Sequence, residues 1–152
     1  MKSASRSFIA VATAGLVAAC AAPERHVSVM SLAGTQWQLL AIQSMDDAQG
    51  TIRIAHPERF TARFDADSRA SFQLDCNRGT ATWKATPAAD PSSGSIEFGP
   101  VATTRALCPP PRLDERVARD LAYVRGYLLK DGRLYLTLMA DGGIYEWQPV
   151  KP

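Results

Sequence analysis

The chain has 152 residues, 17 of them Lys or Arg and 15 Asp or Glu, with only two histidines. That length suits one domain with a real core. The near-balance of charge gives no reason to expect nucleic acid or an acidic partner, and two histidines leave little imidazole for catalysis or metal binding.

At the amino end, Lys2 and Arg6 precede twelve uncharged residues, Phe8 to Ala19, mostly Ala, Val, Ile and Leu. The run is shorter than the roughly 20 residues of a spanning helix and ends in the small residues Ala18 and Ala19, as a cleavable leader does. Val17-Ala18-Ala19-Cys20 resembles the lipobox of bacterial lipoproteins. The resemblance implies a signal peptide over residues 1–19 and a lipid on Cys20. One acyl chain holds only marginally, at about 0.8 kcal/mol per buried methylene, whereas the several chains typical of bacterial lipoproteins anchor firmly. Residue 21 is Ala, not the Asp that resembles an inner-membrane retention signal. In a Gram-negative host the expected address is the periplasmic face of the outer membrane.

Residues 20–30 read as a lipidated tether and 31–149 as the domain. Lys2 and Arg6 leave with the leader, so 15 bases face 15 acids in the mature chain and its formal charge is zero. With Cys20 taken by lipid, Cys76 and Cys108 remain. An even pair in an exported chain reads as a disulfide. Closing a loop of about 32 residues stabilises by roughly 3–4 kcal/mol in the chain-entropy account. A metal site is the weaker alternative, because His26 and His56 lie at no ligand spacing from either cysteine. No metal or cofactor is expected.

Period-two alternation then recurs along the chain. Phe60, Ala62 and Phe64 form one apolar set; Ala70, Phe72 and Leu74 a second; Ile96 and Phe98 a third; Leu134, Leu136 and Leu138 a fourth. Each predicts a strand with one face on a core and one toward water, as in antiparallel sheets. Lys130-Asp131-Gly132-Arg133 predicts a type I′ hairpin turn, and Asp141-Gly142-Gly143 predicts another before a strand carrying Tyr145 and Trp147. Residues 88–94 are a loop by composition.

One segment changes period. Leu113, Val117, Leu121 and Val124 recur at helical spacing, and Pro109-Pro110-Pro111 keeps the helix from starting earlier. Arg112, Arg116 and Arg119 lie on the opposite face. A stripe of arginines can meet anionic lipid, but Glu115 and Asp120, each four residues from a member of the stripe, partly neutralise it. A solvated face is expected. Several antiparallel strands and one helix make an α+β fold.

Two segments stand out: Asp75-Cys76-Asn77-Arg78-Gly79, and the run from Phe98-Gly99-Pro100 through Thr103-Thr104-Arg105 to Cys108-Pro109. In the first, the strand is expected to leave the sheet through a tight turn, with Asn77 able to take left-handed geometry. In the second, Gly-Pro ends a strand at Phe98. A disulfide would staple this connection to the Cys76-Asn77 turn.

At these residues the chain resembles the META (HslJ-like, DUF306) domain family of bacterial envelope proteins. The matched pattern is Leu32, Gly34 and Trp37; then Cys76, Asn77 and Arg78; then Gly99, Pro100, Ala102, Thr104, Arg105 and Cys108. A helix with Glu115 and Leu121 and a Leu-x-Leu hairpin close the domain. After Arg78 the family favours an aromatic, a small residue and Gly, where this chain has Gly79, Thr80 and Ala81, with Trp83 beyond. The turn is therefore expected to differ locally. The resemblance implies a compact, barrel-like antiparallel sheet with one helix packed on it, and a role in tolerance of envelope stress, heat or the antibiotic novobiocin.

Catalytic motifs are missing: there is no Gly-x-Ser-x-Gly, no His-Glu-x-x-His and no phosphate-cradling glycine loop. Asp65, Asp67 and Asp75 fall near strand ends and read as turn and surface groups. No enzyme is expected. Asn77, Arg78, Thr104 and Arg105 read as a structural polar site that hydrogen-bonds a connection lacking ladder partners, with a small ligand site as the alternative. Arg105 in particular is expected to hold that connection by charge-assisted bonds. The expected function is a non-catalytic, monomeric envelope lipoprotein, meeting the membrane through Cys20 and partnered by an envelope protein whose identity the sequence does not give. The alternative is a periplasmic binding or inhibitor protein of the kind that blocks lysozyme.

Overall fold

The computed structural model describes residues 31–46 and 48–151; the expected leader, the expected lipidation at Cys20 and the expected tether lie outside the described residues. Ten strands and one α-helix follow in chain order: β1 (Thr35–Gln43), β2 (Thr51–Arg53), β3 (Phe60–Phe64), β4 (Arg69–Leu74), β5 (Asn77–Pro87), β6 (Ser93–Phe98), β7 (Ala102–Thr103), α1 (Leu113–Asp120), β8 (Val124–Lys130), β9 (Arg133–Leu138) and β10 (Ile144–Pro149).

Eight strands close a barrel in the order β1-β3-β4-β5-β6-β8-β9-β10, and β10 pairs back onto β1. Every pairing is antiparallel. Closure removes the exposed edges that make open sheets prone to aggregate. β1 accomplishes it by serving three neighbours. Its first half pairs with β3, its second half with β2 on the same side, and most of its length with β10 on the other. A register shift between Leu39 and Ala41 marks a bulge where the strand bends round.

Alternation decides which residues fill the barrel. Phe60, Ala62 and Phe64 of β3 are buried while Arg63 is exposed, and Ala70, Phe72 and Leu74 of β4 repeat the pattern. Trp147, Leu39, Leu134 and Leu136 complete the interior from the other wall. Phe64 packs edge-on against Trp83 and stacks on Phe98, and Phe98 meets Phe72 edge-on. Such pairs add about 0.5–1.5 kcal/mol each beyond their buried area.

The Lys130–Arg133 turn has the expected geometry, with φ of 52° at Asp131 and 71° at Gly132. The turn before β10 does not. Left-handed backbone falls at Ala140 and Asp141, and again at Gly143, so the reversal starts earlier than the Asp-Gly pair suggests. At Gly143 an added Cβ would sit 2.4 Å from the Gln43 carbonyl oxygen, which is why only glycine fits there.

The helix is shorter than its apolar spacing predicts. It runs from Leu113 to Asp120, tightens into a 3-10 turn over Leu121–Tyr123, and gives way to β8 at Val124. Val124 is buried because it begins a strand, and its spacing from Leu121 is coincidental. Val117 and Leu121 are buried in the same core as the strands. α1 contacts β4 at one side, while Asp120 at its far end accepts a hydrogen bond of 2.7 Å from Tyr145 of β10. The helix therefore lies across one end of the barrel. Of the arginine stripe, Arg112 and Arg119 are exposed, whereas Arg116 is half-buried and pairs with Asp120 at 3.6 Å.

Candidate functional site

The two motif segments meet at the barrel end that α1 covers. β4 and β5 form a hairpin whose loop is only Asp75 and Cys76, with Leu74 opposite Asn77. The left-handed residue is Asp75, at φ 59°, and not Asn77. A two-residue loop with positive φ at its first position alone fits a type II′ turn. So the chain does not leave the sheet here, as expected from Cys-Asn followed by Gly; it turns straight back into β5. Asp75 is itself buried and ion-pairs with Arg59. Asp65 and Asp67 stay in turns, receiving Arg63 Nε and the Arg69 backbone N–H respectively.

Asn77 is free of any turn duty and does something else. Its side chain is buried, and both ends are fully engaged across 27 to 37 residues of sequence. Nδ2 donates to the Ala106 carbonyl at 3.0 Å and to Asp114 Oδ2 at 2.9 Å, and lies 3.3 Å from Cys108 Sγ. Oδ1 accepts from Thr104 Oγ1 and from the Ala106 backbone N–H, both at 2.8 Å. One amide thus joins β5, the connection after β7 and the first turn of α1. An amide suits this position because it alone presents two donors and an acceptor in one plane.

The rest of the connection is secured nearby. The Arg78 backbone N–H donates to Thr104 Oγ1 at 3.0 Å, and the Thr104 N–H donates to the Arg78 carbonyl at 2.9 Å. β7 pairs Thr103 with Gly79 and Ala102 with Thr80. A Cβ at residue 79 would lie at ordinary contact distance, 3.4–3.6 Å, from Thr103, Leu74 and Phe72, so the space beside Gly79 is already lined by these three side chains. Cys76 and Cys108 are bonded, with Cα atoms 5.6 Å apart.

Arg105 corrects the sequence reading. Its side chain is exposed, and among the described residues no hydrogen bond or ion pair reaches its guanidinium. Hydrogen bonding through Asn77 and Thr104 holds the connection in its place. Arg78 likewise contributes its backbone, with its side chain exposed. Sequence reasoning missed Asp114 altogether. It sits in the apolar-periodic helix and is buried, although its neighbours Arg112 and Glu115 face water. Its position one residue after Leu113, on the inward side of the first turn, was the available signal.

These residues also border an open cavity of about 350 Å³ lined by Asp114, Glu115 and Ala118 of α1 and by Leu74 and Asn77 of the β4–β5 hairpin. Thr104, Arg105, Asp114 and Glu115 contribute its polar lining, and Leu107 stands at the side, 77% exposed. Among the described residues no three His, Cys, Asp or Glu side chains gather as metal ligands would.

The order of these motifs, the barrel and the helix agree with one sequence family. A family model described as META domain matches residues 30–149. The chain belongs to the META domain family. The META domain resembles two solved structures in fold. One is a protein from Burkholderia xenovorans solved by NMR, at 18% identity and a TM-score of 0.63, covering 95% of this chain and all of that one. The other is a DUF4847 family protein from Bacteroides vulgatus, at 14% identity and a TM-score of 0.55, covering 80% of this chain and 96% of that one. No curated protein matches this META domain.

Proposed function

We propose that this META domain is a non-catalytic module of the bacterial cell envelope, held at a membrane by lipid on Cys20, that supports tolerance of heat, envelope stress or antibiotic. The observation that carries the reading is Asn77. The buried amide of the family motif spends every donor and acceptor on holding β5, the connection and α1 together. The motif therefore reads as a fastening, and the Cys76–Cys108 bond is a second fastening suited to an oxidising compartment. Leader, lipobox and disulfide point to one address.

Deleting the gene from its host and challenging with heat or novobiocin tests the role. The deletion strain should die faster, wild-type protein should restore survival, and Cys20→Ala should restore it poorly. A fatty-acid analogue should label the wild type and not Cys20→Ala. Equal survival of deletion and parent strains would refute the role in tolerance; equal labelling would refute the anchor.

A second reading, a binding or inhibitor protein acting on an envelope or host protein, is favoured by one feature. Leu107 is 77% exposed on the disulfide-held connection, where an apolar side chain is set out toward solvent on a braced segment. If the protein slows lysozyme, Leu107→Asp should abolish the effect; an uninhibited lysis rate with wild-type protein excludes that form of the reading.

A further inference from the structure

Asp114 is the most demanding group in the molecule. It is 4% exposed, Asn77 occupies Oδ2, and Oδ1 is buried with no hydrogen-bond partner among the described residues. Two other buried polar atoms share that condition, Asp75 Oδ1 and Trp147 Nε1, but Arg59 faces Asp75, and neither residue borders the cavity under α1. Asp114 does. A buried carboxylate with an open acceptor is costly unless a donor, best a cation, meets it. The nearest neutral donors are already committed, since the Asn77 amide is shared out and Thr104 Oγ1 donates to Asn77.

The cavity has the means to admit such a donor. At about 350 Å³ it is at the small end of the range for ligand pockets and has room for a few heavy atoms. Glu115 adds a second carboxylate to its lining, and Arg105 adds a cation. Arg105 is the group that sequence reasoning assigned to holding the connection and that the fold leaves without a partner among the described residues. The cavity thus offers negative charge at a buried carboxylate and positive charge at an exposed guanidinium.

We infer that this cavity is a binding site for a small zwitterion, a primary ammonium carried next to an anionic group. The ammonium meets Asp114 Oδ1 with help from Glu115, and the anion meets Arg105. Two sources present that chemistry: a phosphoethanolamine headgroup, and the amino and carboxylate ends of a short peptide. Asn77 is then a positioning residue, since its bond to Oδ2 orients the carboxylate, and binding is reversible with no bond made or broken. This site stands apart from the proposed role in stress tolerance and survives or fails independently of it.

The test is titration of the purified full-length protein, in non-ionic detergent, with phosphoethanolamine, glycylglycine, ethanolamine and inorganic phosphate. Binding is read by calorimetry and by thermal unfolding. Phosphoethanolamine or glycylglycine should bind saturably and raise the unfolding temperature by about 3–6 °C at ten times its dissociation constant. Whichever of the two binds more tightly identifies the anion. Ethanolamine and phosphate should each bind at least tenfold more weakly. Asp114→Asn keeps an oxygen to accept from Asn77 and removes the charge, so affinity should fall about tenfold or more. Arg105→Ala should weaken the zwitterions and leave ethanolamine unchanged, a difference that no loss of folding produces. No saturable binding by either zwitterion up to 10 mM, as a working limit on the order of weak-ligand affinities, overturns the inference. So does equal affinity of wild type and Asp114→Asn, or an Arg105→Ala effect identical for ethanolamine and phosphoethanolamine.

Discussion

Replacing Asn77 by Ala should destabilise this protein more than any other single polar truncation at the covered end of the barrel. The substitution deletes donors to the Ala106 carbonyl and to Asp114 Oδ2 and the acceptor for Thr104 Oγ1 and the Ala106 N–H. Three neutral bonds at about 1 kcal/mol each and one to a carboxylate at about 1.5–3 kcal/mol bound the loss near 6 kcal/mol. The groups act as a unit, and water entering beside Asp114 recovers some of that, so a loss of about 3–5 kcal/mol is expected. The disulfide still tethers the connection in the variant and keeps the loss from growing further. At about 3–5 °C per kcal/mol for a domain of this size, the unfolding temperature should fall by about 10–20 °C. Circular dichroism of thermal unfolding measures it. Asn77→Asp is the informative companion: it keeps the two accepted bonds, loses both donated ones and puts a second carboxylate against Asp114, so it should be no more stable than Asn77→Ala near neutral pH. A loss below about 1 kcal/mol for Asn77→Ala would refute the assignment of Asn77 as the fastening.

Arg105→Ala should change stability by no more than about 0.5 kcal/mol, since its guanidinium is exposed and meets no partner among the described residues; a drop of several degrees would restore it as a structural residue. Thiol titration of the denatured, unreduced protein should find Cys76 and Cys108 blocked, and reducing the bond should cost roughly 3–4 kcal/mol for a separation of 32 residues; two free thiols would exclude the bond. Burial, and then the hydrogen bond to Asp120, raise the Tyr145 phenol above its ordinary value of 10.0. A raised phenol favours the folded state fully below the unfolded pKa, and that contribution declines as pH climbs past about 10, by up to about 1.4 kcal/mol per pH unit. Tyr145→Phe should flatten that part of the alkaline loss, and an unchanged slope in alkaline unfolding curves would count against it.

Local pattern was enough for several elements. The β3, β4, β6 and β9 strands follow from period-two apolar residues, because each has one face on the core and one in water, and that geometry writes itself into alternate positions. The Asp131-Gly132 turn follows from two residues that tolerate positive φ. The cysteine pair follows from their number once Cys20 is set aside. By contrast, β1 bends at a bulge and serves β2, β3 and β10, so no short window shows its role, and barrel closure is a property of the β1–β10 contact alone. The helix ends before Val124 because β8 must join β6 and β9, a tertiary demand that overrides a helical spacing. The motif residues themselves were visible, but their division of labour was not. Whether Asn77 or Arg105 holds the connection depends on which side chain points under α1, and an amide that reaches Thr104, Ala106 and Asp114 is defined by residues up to 37 positions away. Sequence carries the kind of group at each position; only the folded chain, by burying Asp114 with one oxygen unmet, turns an ordinary helix residue into the most demanding one.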